Sequence, residues 1–197
     1  MSTALLGLPK ASNAHRNSPR PRPVRWSREE YYRLGSQGYF HNRRVERIRG
    51  EIVEMSPIGW LHALTKTKVA NCLRDTFEGL AWVNEQNPLS TNDSDPQPDV
   101  AVIPGQMKDY SDHPNTAFLI VEIADTSLEY DTIVKAEIYA EAGIKEYWVV
   151  DIEYRLVHVF RNPRMGKYES HAKLGPIETI IPLAAPKQTV RVDELLP

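Results

Sequence analysis

The sequence predicts an α/β (α+β) domain in which a mixed central sheet is flanked by helices. Residues 117–124, AFLIVEIA, are apolar on both faces, as in a strand buried at the centre of a sheet. A helix pattern over residues 131–142 connects this run to a second strand, EYWVVDI, and so predicts a strand–helix–strand unit. Another helix pattern covers residues 60–78, where apolar residues recur at helical spacing.

The first half of the chain begins with a short helix and a hairpin. Ser27 is a predicted helix N-cap, with Glu30 at the spacing of a capping box, and the helix is expected to end near Gly38. Residues 45–57, VERIRGEIVEMSP, predict two strands that turn at Arg49-Gly50. The long amphipathic helix over residues 60–78 follows, packed by one face.

The second half supplies the sheet. Strands are predicted over residues 80–87, 99–103 and 117–124, with polar loops between them, and Gly143 is placed to end the helix over residues 131–142. Three further strands follow, EYWVVDI, RLVHVFR and KYESHAKL, and the segments IPLAAPK and VRVDELL close the chain. No internal repeat and no second domain is indicated.

Composition restricts the class of protein. The 197 residues, 41% hydrophobic and 25% charged, are typical of one globular domain. Cys72 is the single cysteine, so no intrachain disulfide can form, and a reducing compartment, the cytoplasm, is expected. No apolar run approaches the roughly 18 residues of a membrane span, and the opening MSTALLGLPK lacks a secretory signal pattern. A membrane partner is therefore not expected.

The basic residues are unevenly distributed. Residues 1–25 contain five Lys or Arg and no acid, and their Pro, Asn and Ser content predicts a flexible basic arm ahead of a domain over residues 26–197. A solvated tail is the favoured interpretation of this arm, with a phosphate-binding arm as the alternative. Of the chain's 24 basic and 26 acidic residues, this leaves a distinctly acidic body. An acidic body argues against simple high-affinity DNA binding, because basic residues supply most non-specific affinity.

Three acids occupy positions where acids are expensive. Glu122 interrupts the apolar run LIVEIA, and an unpaired buried carboxylate costs several kcal/mol. Asp99 stands between Pro98 and Val100-Ala101-Val102, at the start of the predicted strand, and Glu46 lies in the first strand of the hairpin. Carboxylates that converge from neighbouring elements form a hard-oxygen site, which favours Mg²⁺ or Mn²⁺.

The expected cation of the site is Lys135. It shares a helix face with Asp131 and Tyr139, and its helix directly follows the Glu122 strand. An ammonium there can stabilise phosphate charge or orient an attacking water.

Each candidate also has a purely structural interpretation. Glu122 can be a core acid paired only with Lys135, Asp99 a turn acid, and Glu46 an ordinary strand-surface charge. Lys135 can equally be a solvated helix lysine. For His62, a packed or solvent-facing side chain is favoured over a role in proton transfer.

These residues stand in an order that resembles a known family, the Uma-two restriction endonucleases of the PD-(D/E)XK nuclease superfamily. The resemblance covers roughly residues 26–196. It is carried by Glu46 ahead of Gly50-Glu51, Met55-Ser56-Pro57, His62, Pro98-Asp99-Val100, Val121-Glu122-Ile123, Asp131 with Lys135 and Tyr139, and the run EYWVVD.

The resemblance implies a restriction-endonuclease-like fold and an endonuclease that uses Mg²⁺ or Mn²⁺. Its metal ligands would be Asp99, Glu122 and the backbone carbonyl of Ile123, with Glu46 as the supporting acid and Lys135 as the catalytic lysine. The superfamily places its lysine two residues after the acid, where this chain has Ala124. Nucleic acid, with DNA expected, is the implied partner, and a homodimer is an open alternative.

A different class of function competes with this one. The acidic body and Ala124 both favour a non-catalytic interaction module built on a nuclease fold with a degenerate site. Other enzyme chemistries fit poorly, because the sequence contains no Walker A loop, GxGxxG, GxSxG, HExxH or CxxC pattern.

Overall fold

The computed structural model describes residues 22–197. The predicted basic arm falls outside these residues apart from its last four. Within the described part of the chain, no helix combines the length and the apolar character needed to cross a bilayer.

Residues 22–197 contain ten strands and four α-helices. In chain order they are α1 (Arg28–Ser36), β1 (Val45–Ile48), β2 (Glu51–Glu54), α2 (Trp60–Thr76), β3 (Ala81–Asn84), β4 (Val100–Pro104), β5 (Leu119–Ala124), α3 (Ala136–Glu141), β6 (Glu146–Asp151), β7 (Leu156–Arg164), β8 (Lys167–Leu174), β9 (Thr179–Ile180), β10 (Val190–Arg191) and α4 (Val192–Leu195). A single 3₁₀ turn, Met107–Asp109, lies between β4 and β5, and a π-helical segment, Tyr130–Lys135, leads directly into α3.

Six strands form the central sheet, in the order β3-β4-β5-β6-β7-β8. β5 and β6 are parallel, with Glu122 opposite Val149, and every other neighbouring pair is antiparallel. The helix between β5 and β6 makes the crossover that a parallel pair requires. The mixed sheet flanked by helices is therefore confirmed.

Helices cover both faces of this sheet. Val69 and Leu73 of α2 pack with Val121 of β5 on one face, together with residues of α4. Ala136 and Tyr139 of α3 pack on the other face. Residues alternate along β5, so Glu122 points toward α3. The apolar pattern on both faces of β5 thus reflects two separate cores, and Glu122 lies between the sheet and α3.

The hairpin β1–β2 is a two-stranded sheet of its own. Ile48 pairs with Glu51, and Arg49 and Gly50 have φ angles of 50° and 76°. Positive φ at both central residues is the conformation of the tight turns that match strand twist. Arg47 Nε contacts Asp95 Oδ2 at 2.7 Å, which ties the hairpin to the loop before β4. The hairpin thereby carries Glu46 toward the central sheet.

Several element boundaries differ from the sequence prediction. β3 ends at Asn84 instead of residue 87, because its pairing with β4 stops there and Gln86 turns the chain with a φ of 52°. β2 ends at Glu54, ahead of Pro57, and α2 ends at Thr76. The predicted helix over residues 131–142 is π-helical in its first part, and periodicity alone does not distinguish a π-helix from an α-helix.

The hairpin turn should be sensitive to a side chain at Gly50. A Cβ there would lie 2.9 Å from Arg25 Cβ, in addition to the strain of a positive φ. Gly50→Ala should lower the free energy of unfolding by about 2 kcal/mol. Gly79→Ala is the matched control, because Gly79 has a φ of 72° and open space around it. Urea unfolding should show a smaller loss of stability for the control. Equal losses in the two variants would show that the contact with Arg25 adds nothing to the cost of the substitution.

Candidate active site

Glu122 is the most heavily bonded acid of the site. It is 4% exposed and lies on the α3 side of β5. Its Oε1 accepts a hydrogen bond of 2.7 Å from the Tyr139 hydroxyl and lies 3.3 Å from Lys135 Nζ. Its Oε2 accepts from the backbone amide of Asp99 at 3.1 Å. Both oxygens of this buried carboxylate therefore have partners.

Lys135 reaches back from its helix to two acids. Its side chain is 1% exposed, and Nζ lies 2.6 Å from Glu46 Oε2 and 3.3 Å from Glu122 Oε1. Burial opposes a charged amine, but the Coulomb attraction of Glu122 and then Glu46 outweighs it and raises the pKa of Lys135. The alternative of a solvated helix lysine is wrong.

Asp99 lies beside Glu122, immediately before β4. Its Oδ2 accepts a hydrogen bond of 2.9 Å from the amide of Ile123, the residue after Glu122. The carbonyl of a strand residue points to the same edge as its amide, so the Ile123 carbonyl faces the Asp99 side. Asp99 Oδ1 lies 3.0 Å from His62 Nε2 and 3.9 Å from a terminal nitrogen of Arg44. Burial acts to raise the pKa of Asp99. The hydrogen bond and the charge of His62 act in the opposite direction, and the pKa of Asp99 is lowered overall.

Glu46 is fully buried, with no exposed surface. Apart from the ion-pair contact with Lys135, neither of its carboxylate oxygens receives a well-directed hydrogen bond from residues 22–197. Buried acids normally have such donors, so Glu46 is an incompletely satisfied group within the cluster. The alternative of a strand-surface charge is wrong.

The cluster contains more acids than cations. Glu46, Asp99, Glu122 and Asp131 are all at most 4% exposed, and Lys135 is the buried lysine among them. Burial raises the pKa of Glu122 to about 8, and Lys135 only partly offsets this. Burial also raises the pKa of Asp131 to about 6 against the hydrogen bond from Ser127. Raised pKa values at Glu122 and Asp131 show that this excess of buried acids favours added positive charge.

The donor set fits a hard divalent cation. Two carboxylates and a backbone carbonyl are the oxygen ligands that Mg²⁺ and Mn²⁺ prefer, and Mg²⁺ commonly takes only one or two carboxylates from a protein. Among residues 22–197, no three His, Cys, Asp or Glu side chains are arranged to hold a metal ion by themselves. The incompletely satisfied Glu46 and the excess of acids are the features that favour a cation here.

A cleft of about 290 Å³ opens next to this cluster. Its lining includes Arg44, Ile58, His62, Asp125 and Tyr130. Arg44 and His62 both contact Asp99, so they separate the cleft from the buried acids. The cleft lies at the carboxyl end of β5, where the hairpin and the start of α2 also meet. A ligand in this cleft would meet Arg44 and His62, the two residues that contact Asp99.

Comparison with known proteins identifies the family. The sequence profile of Uma2, described as "Putative restriction endonuclease", matches residues 28–193. The chain belongs to the Uma2 family. This confirms the resemblance to the Uma-two family found in the sequence, and it makes nuclease the coarse class of the protein.

A solved structure supports the fold. The crystal structure of a "putative nuclease belonging to DUF820" from Anabaena variabilis ATCC 29413 is similar, with a TM-score of 0.68 and 14% sequence identity. The match covers 88% of this chain and 97% of the other. No curated protein shows significant similarity to the chain.

The structure shows how an ammonium reaches Glu122 although residue 124 is an alanine. Ala124 is 1% exposed and packs in the core beneath α3. A lysine at that position would have to displace this packing, whereas Lys135 brings its ammonium to Glu122 from above. Glu46, Asp99, Glu122 and Lys135 are thus brought together, and their catalytic and metal-binding roles remain predictions.

Three contributors were undervalued or missed in the sequence. His62 was expected to be packed or solvent-facing, yet it lies on Asp99. Arg44 was not singled out, although it lies only two residues before Glu46. Tyr139 was placed on the Lys135 face without its bond to Glu122. The i, i+4 spacing from Lys135 to Tyr139 was the available signal for the tyrosine, and no local pattern marks Arg44.

The raised pKa of Glu122 predicts how stability changes with pH. A carboxyl whose folded pKa is about 8, against an ordinary 4.5, stabilises the fold at low pH, and this contribution is lost as the pH rises toward 8. Glu122→Gln removes this titration. The free energy of unfolding of the variant, relative to the parent, should therefore rise between pH 5 and 8 by on the order of 2–5 kcal/mol.

Urea unfolding in EDTA at a series of pH values measures this difference. Glu153→Gln is the control, because Glu153 is exposed on the turn after β6 and should follow the parent profile. If the Glu122→Gln profile runs parallel to that of the parent, Glu122 does not hold a proton in the folded protein.

Proposed function

We propose that this Uma2 protein is a metal-dependent nuclease that hydrolyses phosphodiester bonds of nucleic acid. The observation that carries the proposal is the buried cluster of Asp99, Glu122, Glu46 and Lys135 beside an open cleft. Acids and one lysine at the end of a central strand suit phosphodiester hydrolysis, and the family description agrees with that chemistry.

Asp99, Glu122 and the Ile123 carbonyl are the proposed ligands of Mg²⁺ or Mn²⁺. When bound, such an ion supplies Lewis-acid chemistry to a phosphoryl oxygen and to water. The Ile123 amide and His62 hold the Asp99 carboxylate in place, at 2.9 and 3.0 Å. Tyr139 does the same for Glu122 by donating its hydroxyl hydrogen to Oε1. These contacts orient the carboxylates before any ligand arrives.

Lys135 is the proposed cation for the charge that develops on phosphate. Its ammonium lies between Glu46 and Glu122, and the strong attraction of both acids keeps it protonated throughout the physiological pH range. A phosphate oxygen that approached from the cleft would compete with Glu46 for this ammonium. Glu46 then acts as a supporting acid that positions Lys135 and releases it toward substrate.

A second candidate function is a non-catalytic interaction module on the same fold. One observation favours it: all four carboxylate oxygens of Asp99 and Glu122 already have partners within the protein. In that case the cluster would serve only to anchor the hairpin to the sheet. The two candidates differ in whether removal of Asp99 changes an activity or only the stability.

Asp99→Asn tests the enzyme directly. The asparagine keeps an oxygen for the Ile123 amide but loses the charge, so metal-dependent cleavage should fall at least about a hundred-fold. The assay is cleavage of plasmid and of single-stranded DNA in Mg²⁺, in Mn²⁺ and in EDTA. Asp75→Asn, at an exposed position of α2, is the matched control and should keep the parent rate. A folded parent protein without activity on any nucleic acid would favour the interaction module.

Lys135→Ala should affect stability and activity together. Without the ammonium, Glu46 and Glu122 are buried acids without a cation, so the free energy of unfolding should drop by about 3–5 kcal/mol. Cleavage should be lost, while the Mn²⁺ affinity should remain largely intact because an ammonium is not a metal ligand.

A double variant separates the two effects. Lys135→Met combined with Glu46→Gln removes one charge of each sign, so much of the lost stability should return. If the ammonium acts on phosphate, the double variant stays inactive although its urea midpoint recovers. Recovery of activity together with stability would leave Lys135 a structural role only.

A further inference from the structure

The acids of the proposed site lie beneath the surface. Asp99 is 3% exposed and Lys135 is 1% exposed, and the neighbouring cleft has a volume of about 290 Å³. That volume is just below the range for small-ligand sites, about 300–1,000 Å³. Duplex DNA is stiff over about 150 base pairs, so it cannot bend a single phosphate into a recess of this size without distortion. An unpaired nucleotide has the freedom to enter.

An exposed tryptophan is next in the chain to residues that line the same cleft. Trp60, the first residue of α2, is 80% exposed. It directly follows Ile58 and Gly59 and precedes His62, and these three residues line the cleft. Leu61 and Leu64, exposed by 42% and 39%, extend the apolar surface along α2. A large exposed tryptophan is suited to stacking on a flat partner.

The charge of the protein makes stacking the more important source of affinity. The chain has 26 acidic and 24 basic residues, and its acidic body offers little general attraction for phosphates. The cleft lining itself balances Arg44 and His62 against Glu54 and Asp125. By contrast, stacking of bases on aromatic side chains contributes about 1–3 kcal/mol per base, and only unpaired bases expose their faces.

We infer that the substrate is an unpaired strand, one nucleotide of which enters the cleft while its base stacks on Trp60. The inference rests on the proposed function and narrows its substrate class to single strands, flaps or frayed ends of DNA or RNA. Arg44 and His62, which bridge the cleft to Asp99, face the phosphate of that nucleotide. A stiff duplex reaches Trp60 only with its base edges and leaves the ring without a stacking partner.

Binding of labelled oligonucleotides tests the inference without catalysis. The probes are a short mixed-sequence strand, as DNA and as RNA, and the corresponding DNA duplex, measured by fluorescence anisotropy with Ca²⁺ in place of Mg²⁺. The parent protein should bind at least one single strand more tightly than the duplex. Trp60→Ala should weaken that binding by roughly five- to a hundred-fold, the loss of one stacked base. Met165→Ala, at a residue 96% exposed on the turn between β7 and β8, should bind like the parent.

The outcomes distinguish this inference from the proposed function. Single-strand binding that depends on Trp60, without cleavage in Mg²⁺ or Mn²⁺, would support the single-strand site at Trp60 and defeat the proposed nuclease, so the bound strand would be a ligand and not a substrate. Cleavage of duplex by both the parent and Trp60→Ala at equal rates would support the nuclease and overturn the inference. Sedimentation of the parent and of Trp60→Ala provides a further check. A dimer that dissociates in the variant would show that a second copy covers Trp60, which would also overturn it.

Discussion

The structure depends on the burial of one carboxylate in its central strand. Glu122 lies in the middle of a sheet with apolar cores on both faces, a position that water cannot stabilise. Its partners come from two separate parts of the chain: Lys135 and Tyr139 on the helix above the strand, and the Asp99 backbone beside it. The contact of Lys135 with Glu46 then joins the hairpin to the same network. One costly acid therefore organises four elements around itself.

The sheet could be predicted because its signals are local. The run LIVEIA and the helix pattern after it define a parallel pair, and Gly143 marks the end of that helix. The edges were predicted less well. Whether residues 85–87 continue β3 depends on how far β4 extends beside them. The local sequence does not indicate where that pairing stops. The separation of the hairpin into its own sheet was likewise not visible, since its pattern is the same in either arrangement.

The site was predicted to the extent that burial of charge is visible in sequence. Glu122 stands out in an apolar run, and Lys135 follows at a distance that one helix can span. Glu46 lies on a short polar hairpin where charges are common, and Arg44 directly precedes the hairpin, so the burial of Glu46 and the approach of Arg44 to Asp99 depend on tertiary contacts alone. His62 is a similar case: its helix pattern gives the face it occupies but not the carboxylate that meets it. The sequence therefore indicates which charged groups need a partner when buried, whereas the tertiary structure determines which residue that partner is.

The π-helical segment Tyr130–Lys135 restricts how the chain length can vary. A π-helix contains an extra residue relative to an α-helix, so loss of one residue there would restore α-helical winding. Each α-helical residue turns the side chain by about 100°. A deletion ahead of Lys135 would then turn Asp131 and the residues before it relative to the sheet, while Lys135, which is continuous with α3, stayed beside Glu122. Insertions and deletions should be tolerated in the loop between β4 and β5 but excluded between Ser127 and Lys135, so natural length variation in Uma2 chains should avoid this segment.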